Sequence, residues 1–419
     1  MSGIRGPSRR RHWLAAGLAC GAAALAARLP ARAGAPATLR VAFIDPLSGP
    51  AGDIGRHSLR SWQFAADHLQ AATGVHLRIA GFDNKASPQG SVDVLKVAVD
   101  QGFRVIVQGN GSGVTAALIE AIGRHNQMRP DRSVLLINYA AMDPSLTAEH
   151  CSPWHFRIDA DTSMKMRAMT RCMADQTALQ RVFLLNQNYA HGQQFARHFR
   201  SEAARQAPRL QVVGDELHPA FVLDDFTPYV QRIVASGAQA VVTGNWGADL
   251  RGLIRSMQAR GVFLPVWAYY PQLPGTPQLL AASGDRLPVY MVATAGTRLH
   301  GAAADLARAY RAQHGEDFVI HSILDGVRAL ALAVTRSGST DPAQLAMALE
   351  GLRFEGFNGP AQLRADDHQL LTRLCVARWE RVGPDSPAAA EGTAYGFSPV
   401  QWYEPEQTAP APRCVMRRG

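Results

Sequence analysis

The 419-residue sequence is informative first for what it lacks. It contains no CxxC pair and no cysteines and histidines at zinc-binding spacing, which removes the usual signatures of a thiol redox centre and a structural zinc. No GxSxG elbow is present. The adjacent acids Asp224–Asp225 and Asp366–Asp367 fall in loop-like stretches and read as solvated charges rather than an acid/base couple. The glycine-rich GNGSGVT (109–115) is not followed by a lysine, so a nucleotide phosphate would lack its charge partner. There is no helix-turn-helix pattern, basic arm or short tandem repeat, and beyond residue 33 no apolar run approaches a membrane span. These absences leave little support for an enzyme, a nucleic-acid binder, a metal site or a cofactor.

The formal charge of +9 first suggests a polyanion partner. Residues 1–33, however, hold Arg5, Arg9, Arg10, Arg11, Arg28 and Arg32 and no Asp, Glu or Lys; without those six the charge falls from +9 to +3. The same segment has a basic head, an apolar Ala/Leu middle and Ala31-Arg32-Ala33 before Gly34, the pattern of an export signal cleaved near Ala33. RRHWL within it resembles a twin-arginine signal. The alternatives are an uncleaved anchor, which Arg28 and Arg32 would interrupt, and lipid attachment at Cys20, for which Gly17 is a poor match. The expected location is periplasmic. Cys151, Cys172, Cys375 and Cys414 then remain in an oxidising space, with Cys151–Cys172 and Cys375–Cys414 the expected disulfides and buried free thiols the alternative.

With 47% hydrophobic and 18% charged residues, the rest reads as globular. From Thr38, β-branched runs such as LRVAFI (39–44), RVIVQG (104–109) and SVLLIN (133–138) alternate with longer segments of helical period. A second set begins after Cys151 with RVFLLN (181–186), AQAVVTG (238–244) and LPVWAYY (264–270). Alternation of this kind predicts an α/β protein of two doubly wound parallel-sheet lobes. No Gly/Ser- or Pro-rich linker divides them, so the hinge is expected to have several strands. The expected lobes are 38–157 with 293–355 and 158–292 with 356–419, with crossings near 157, 293 and 356.

Ligands of parallel sheets gather beyond the carboxyl ends of the strands, so the strand-to-helix loops carry the candidates. GNGSGVT offers helix-start amides and the Ser112 hydroxyl as a carboxylate seat; a plain helix cap is the other reading. NQNYAHGQQ (186–194), GNWGADL (244–250) and AYYPQLPG (268–275) bring Tyr189, His191, Trp246, Tyr269 and Tyr270 to one end of the second sheet, where aromatic faces would bury apolar ligand surface.

Taken in order, VAFIDPLSGP, DNKASPQ, NYAAMDPSL, WHFRIDAD, LLNQNYAHGQ, TGNWGADL and RADDHQL resemble the periplasmic substrate-binding proteins of branched-chain amino acid ABC transporters, the Leu/Ile/Val type, over roughly Leu39 to Tyr403. The resemblance implies a type I periplasmic binding protein fold, no catalysis, a small solute held between the lobes, and delivery to ABC permease subunits by a monomer. It places Ser112 on the ligand carboxylate, with Ala140, Ala141 and Met142 completing the seat, although the family usually has a small hydroxylated residue at Met142. Trp246 and Tyr189 or His191 match its cleft aromatics. Tyr270 stands where binders of α-amino acids carry an acid; Asp249 and Asp45 are nearby candidates, but neither occupies that loop position. A buried ammonium without an anion costs several kcal/mol. The implied ligand is thus a branched-chain amino acid or a related apolar or aromatic carboxylate. A sensor of the same fold signalling to a regulatory partner, and an exported α/β enzyme, are the rival readings.

Overall fold

The computed structural model describes residues 37–384 and 386–416; the expected export signal, its cleavage point and Cys20 lie outside them. The first lobe runs β1 (Ala37–Asp45), α1 (Gly52–Thr73), β2 (Val75–Asp83), α2 (Pro88–Asp100), β3 (Val105–Gln108), α3 (Ser112–Met128), β4 (Leu135–Asn138) and β5 (His155–Arg157). The second runs α4 (Thr162–Asp175), β6 (Arg181–Gln187), α5 (Ala190–Gln206), β7 (Gln211–His218), α6 (Thr227–Ala235), β8 (Ala240–Val242), α7 (Gly247–Ala259), β9 (Val266–Ala268), α8 (Thr276–Ala281) and β10 (Val289–Ala293). There follow α9 (Gly301–His314), α10 (Ser322–Ser337), α11 (Pro342–Leu349), β11 (Arg353–Gly356), β12 (Gly359–Leu363), β13 (Leu370–Leu371), β14 (Leu374–Arg381), β15 (Tyr395–Tyr403) and the short α12 (Pro405–Thr408).

The first sheet has the order β2-β1-β3-β4-β5 and is parallel throughout. Its strands are apolar on both faces because helices cover both. Val41, Phe43, Val105, Val107, Leu135 and Ile137 face the cluster that includes α1 and α10 residues. Their neighbours Ala42, Ile44, Ile106 and Leu136 face the cluster that includes α2 and α3 residues. The period-2 alternation thus feeds two cores from each strand. Trp62 of α1 is fully buried, and a Cβ on Gly326 of α10 would lie 2.6 Å from its ring, so that glycine sets how closely the two helices pack.

The second sheet has the order β7-β6-β8-β9-β10-β14-β15. Its first five strands are parallel, while β14 and β15 add an antiparallel edge from the end of the chain. The small β11-β12-β13 sheet sends Phe357, Ala361, Leu363 and Leu370 into the first lobe's core. After β13 the chain continues into β14, which pairs antiparallel with β10 of the second sheet. At the first crossing Arg157 is fully buried: Nε donates to Gln369 Oε1 at 2.6 Å, Nη1 to the Asp143 carbonyl at 2.6 Å, and Nη2 meets Asp161 at 3.1 Å. A charged side chain this deep needs all its partners, and they come from both sides of the hinge.

The disulfide expectations are corrected. Cys151 bonds Cys414, 263 residues away, while Cys172 and Cys375 are free and buried. Cys172 and Cys375 lie in separate clusters on the two faces of the second sheet. Burial pushes their thiols up, to about 11 and about 12. The tail after α12 passes Arg364, whose Nη1 donates to the Pro410 carbonyl at 2.8 Å, and so returns Cys414 to Cys151 in the loop before β5. Closeness in sequence was a poor guide because Cys151 lies in the loop before β5, in the first lobe, while α4 carries Cys172 into the second. Among the described residues no helix is long and apolar enough to cross a membrane.

Candidate functional site

All eight candidate site residues line one cavity between the lobes: Ser112, Ala140, Ala141, Met142, Tyr189, His191, Trp246 and Tyr270. Ile54, Leu273 and Ile320 add apolar wall, and the cavity volume is about 40 Å³. The lobes meet here. Trp246 and Tyr270, carried by the second lobe, pack against the first lobe's core, and Leu273 is buried in it. Gly247 has φ +59°, and a Cβ there would lie 3.0 Å from Ile54 Cδ1, so glycine serves both the turn and the contact.

The polar shelf is the start of α3. Gly111 caps it at φ +106°, which only glycine adopts freely, and a Cβ on Gly109 would lie 2.6 Å from the Tyr139 ring. The loop is fixed from below by Asp45, fully buried, which accepts from Tyr139 Oη at 2.5 Å, Asn110 N at 3.0 Å and Gln108 Nε2 at 3.1 Å. Burial raises the Asp45 carboxyl to about 6 against those bonds. The Ser112 oxygen accepts from Asp143 N at 3.3 Å, leaving its proton to donate elsewhere. Helix-start amides of this kind favour an anion.

The next loop contributes less than the sequence suggests. Ala140 N and Ala141 N both donate to Asn138 Oδ1, at 3.2 and 2.8 Å, so these two residues offer wall rather than donors. Met142 is buried in the second lobe's cluster with Met166, Met169 and Trp267; it plugs one lobe into the other where a hydroxyl was expected.

Facing the shelf are rings. Tyr189 and Trp246 are the N-caps of α5 and α7, and neither makes a side-chain cap bond. An aromatic at that position forgoes roughly 1 kcal/mol that Ser or Asp would supply, so local helix stability does not explain them. Instead Trp246 Nε1 donates to Tyr189 Oη at 2.8 Å, and the indole sits edge-on to Phe221 at 4.9 Å. His191 is the exception to its expected role. Its Nε2 lies 3.0 Å from the Gly244 carbonyl and Nδ1 3.3 Å from Gln194 Nε2, so both nitrogens are spent inside the second lobe. Burial lowers it to about 4, and it stands as a neutral ring beside Tyr189, 5.7 Å away.

Sequence reasoning missed what stands behind Tyr270. Its Oη donates to Asp159 Oδ2 at 2.8 Å, and Lys165 Nζ donates to the same oxygen at 2.8 Å. Ala160 N holds Asp159 Oδ1 at 2.8 Å. Lys165 and Asp159 are both buried. Burial, with the Asp159 charge behind it, holds the Tyr270 phenol protonated well above its usual range. The available signal was composition: lysine occurs only at 85, 96 and 165 in the whole chain, and only Lys165 is buried. Of the other acids considered, Asp45 lies beneath the shelf, and Asp249 Oδ2 accepts from Gln187 Nε2 at 2.6 Å and Phe221 N at 2.8 Å. Among the described residues no Asp, Glu, Lys or Arg lines the cavity.

Two α/β sheets with a small, ring-walled cavity between them have the architecture of a bilobal solute-binding protein. Residues 38–385 match the periplasmic binding protein family, and the chain belongs to it. Leu/Ile/Val-binding protein homolog 4 of Brucella abortus is 27% identical over 421 residues, 97% of this chain and 98% of that protein. The closed-conformation crystal structure of the leucine-, isoleucine-, valine-, threonine- and alanine-binding protein from Brucella ovis is 24% identical; the match covers 91% of this chain and all of that one, with a TM-score of 0.79. An ABC-transporter solute-binding protein of Rhodopseudomonas palustris in complex with 3,4-dihydroxybenzoic acid is 19% identical, with 88% and 97% covered and a TM-score of 0.74. These likenesses establish the type I periplasmic binding protein fold.

Proposed function

We propose that this chain is the periplasmic solute-binding component of an ABC importer. It binds rather than transforms its ligand, a small carboxylate with an apolar or aromatic body and no ammonium group. The observation that carries the reading is the uncharged lining of a cavity that a helix N-terminus faces. A carboxylate finds the α3 amides and the Ser112 hydroxyl; its body finds Trp246, Tyr189, Tyr270 and the His191 ring. An α-ammonium would be desolvated there without an anion, at a cost of several kcal/mol. Solute contacts reach both lobes, so binding favours the shut arrangement by its differential affinity, and the shut form is what ABC permease subunits would engage. Relatives named for leucine, isoleucine and valine share the fold, and the benzoate-class complex shows that the same fold accommodates an acid without an amine.

A thermal-shift screen of the mature chain tests this, comparing benzoate and 4-methylpentanoate with leucine and valine. The acids lacking an amine are expected to raise the melting temperature most. A larger shift with leucine or valine refutes the ligand class.

A further inference from the structure

The Asp159 carboxylate stands one hydroxyl behind the ring wall of the cavity: Tyr270 Oη, which lies 2.8 Å from Asp159, is also 3.4 Å from the carbonyl of Ala140, another lining residue. Its charge is already matched. Lys165 Nζ binds the same oxygen at 2.8 Å, lies 3.4 Å from Tyr270 Oη, and sits over the Tyr270 ring at 4.7 Å and the Tyr269 ring at 5.5 Å. A ligand donor bonded to Tyr270 Oη would stand within about 6 Å of that ammonium. We propose that Lys165 is a specificity-determining residue: by neutralising Asp159 it turns the cleft against amino acids and toward acids without an amine. Lys165 touches no ligand in this scheme and acts through Asp159 and Tyr270. The Tyr270 proton is committed to Asp159, so toward the cavity the phenol offers an oxygen lone pair, a suitable acceptor for a ligand hydroxyl. A ligand ammonium meeting that oxygen would find the like charge of Lys165 behind it and no free carboxylate.

This inference rests on the proposed ligand class, and its test separates the two. The mature chain, Lys165→Met, and the pair variant Lys165→Met/Asp159→Asn are titrated calorimetrically with leucine and with 4-methylpentanoate, which differ only in the amino group. The readout is the ratio of their dissociation constants. Wild type is expected to favour 4-methylpentanoate. Lys165→Met is expected to shift the ratio at least tenfold toward leucine, since Asp159 is then unpaired, and the pair variant is expected to return it to within threefold of wild type. A wild-type preference for leucine overturns the ligand class and the inference together. A wild-type preference for the acid with an unchanged ratio in folded Lys165→Met overturns the inference alone. Should Lys165→Met fail to fold, the pair variant decides: it carries no buried charge at this point, and a gain of leucine binding in it overturns the role of the freed carboxylate.

Discussion

Ser112→Ala is the sharpest single test of the polar shelf. The residue is 4% exposed and starts α3, and its oxygen already accepts from Asp143 N at 3.3 Å. What the alanine removes from the ligand is therefore one O–H donor, in a site where the acceptor is an anion. Hydrogen bonds to charged groups are worth about 1.5–3 kcal/mol, which corresponds to roughly 12- to 150-fold in dissociation constant. Binding is not abolished, because the amides of the first helical turn still face the carboxylate. The substitution also orphans Asp143 N, a neutral bond worth about 1 kcal/mol, so only a small fall in melting temperature is expected. Calorimetric titration with the best acid from the screen, and with its primary amide, separates binding from folding. The acid should weaken by the stated factor, while the amide, weak already, should change far less. A folded Ser112→Ala protein that binds the acid within threefold of wild type would show that the hydroxyl serves only to hold the loop through Asp143.

Two further perturbations address the ring wall and the covalent framework. Trp246 is the indole at the cavity, while Trp62, Trp267 and Trp379 are fully buried; Trp246→Phe should abolish the ligand-induced change in tryptophan fluorescence, and persistence of that change would place the reporter elsewhere. The Cys151–Cys414 bond closes a separation of 263 residues, for which the chain-entropy relation gives a stabilisation of about 5.6 kcal/mol. The paired Cys151→Ser/Cys414→Ser variant should melt well below wild type, and the denatured, unreduced mature chain should titrate two thiols; any other thiol count contradicts the pairing.

Much of the architecture was legible from local chemistry. Period-2 runs such as LRVAFI, separated by helical-period segments, carry the two-sided burial of parallel strands, since Val41 and Phe43 feed one core and Ala42 and Ile44 the other. The site loops were legible for the same reason: parallel strands send every strand-to-helix loop to one end, so Ser112 and Trp246 needed no contact information to be placed together. What the loops do once there was not legible. That the Ala140 and Ala141 amides are spent on Asn138, and the His191 nitrogens on Gly244 and Gln194, follows from backbone geometry that no residue type announces.

The sequence by itself determined the α/β class, the two-lobed plan, the shelf and the rings, because each rests on short-range periodicity or on residue chemistry at a turn. Only the tertiary structure decided that Tyr270 reaches Asp159 across 111 residues, that Lys165 pairs with that same carboxylate, and that Cys414 returns to Cys151. Those pairings depend on how α4 and the loop after β9 pack around the segment that follows β5, and on where the tail is led back. Such contacts are selected by the whole packed chain, and residues on either side of them look locally like any buried acid, lysine or cysteine.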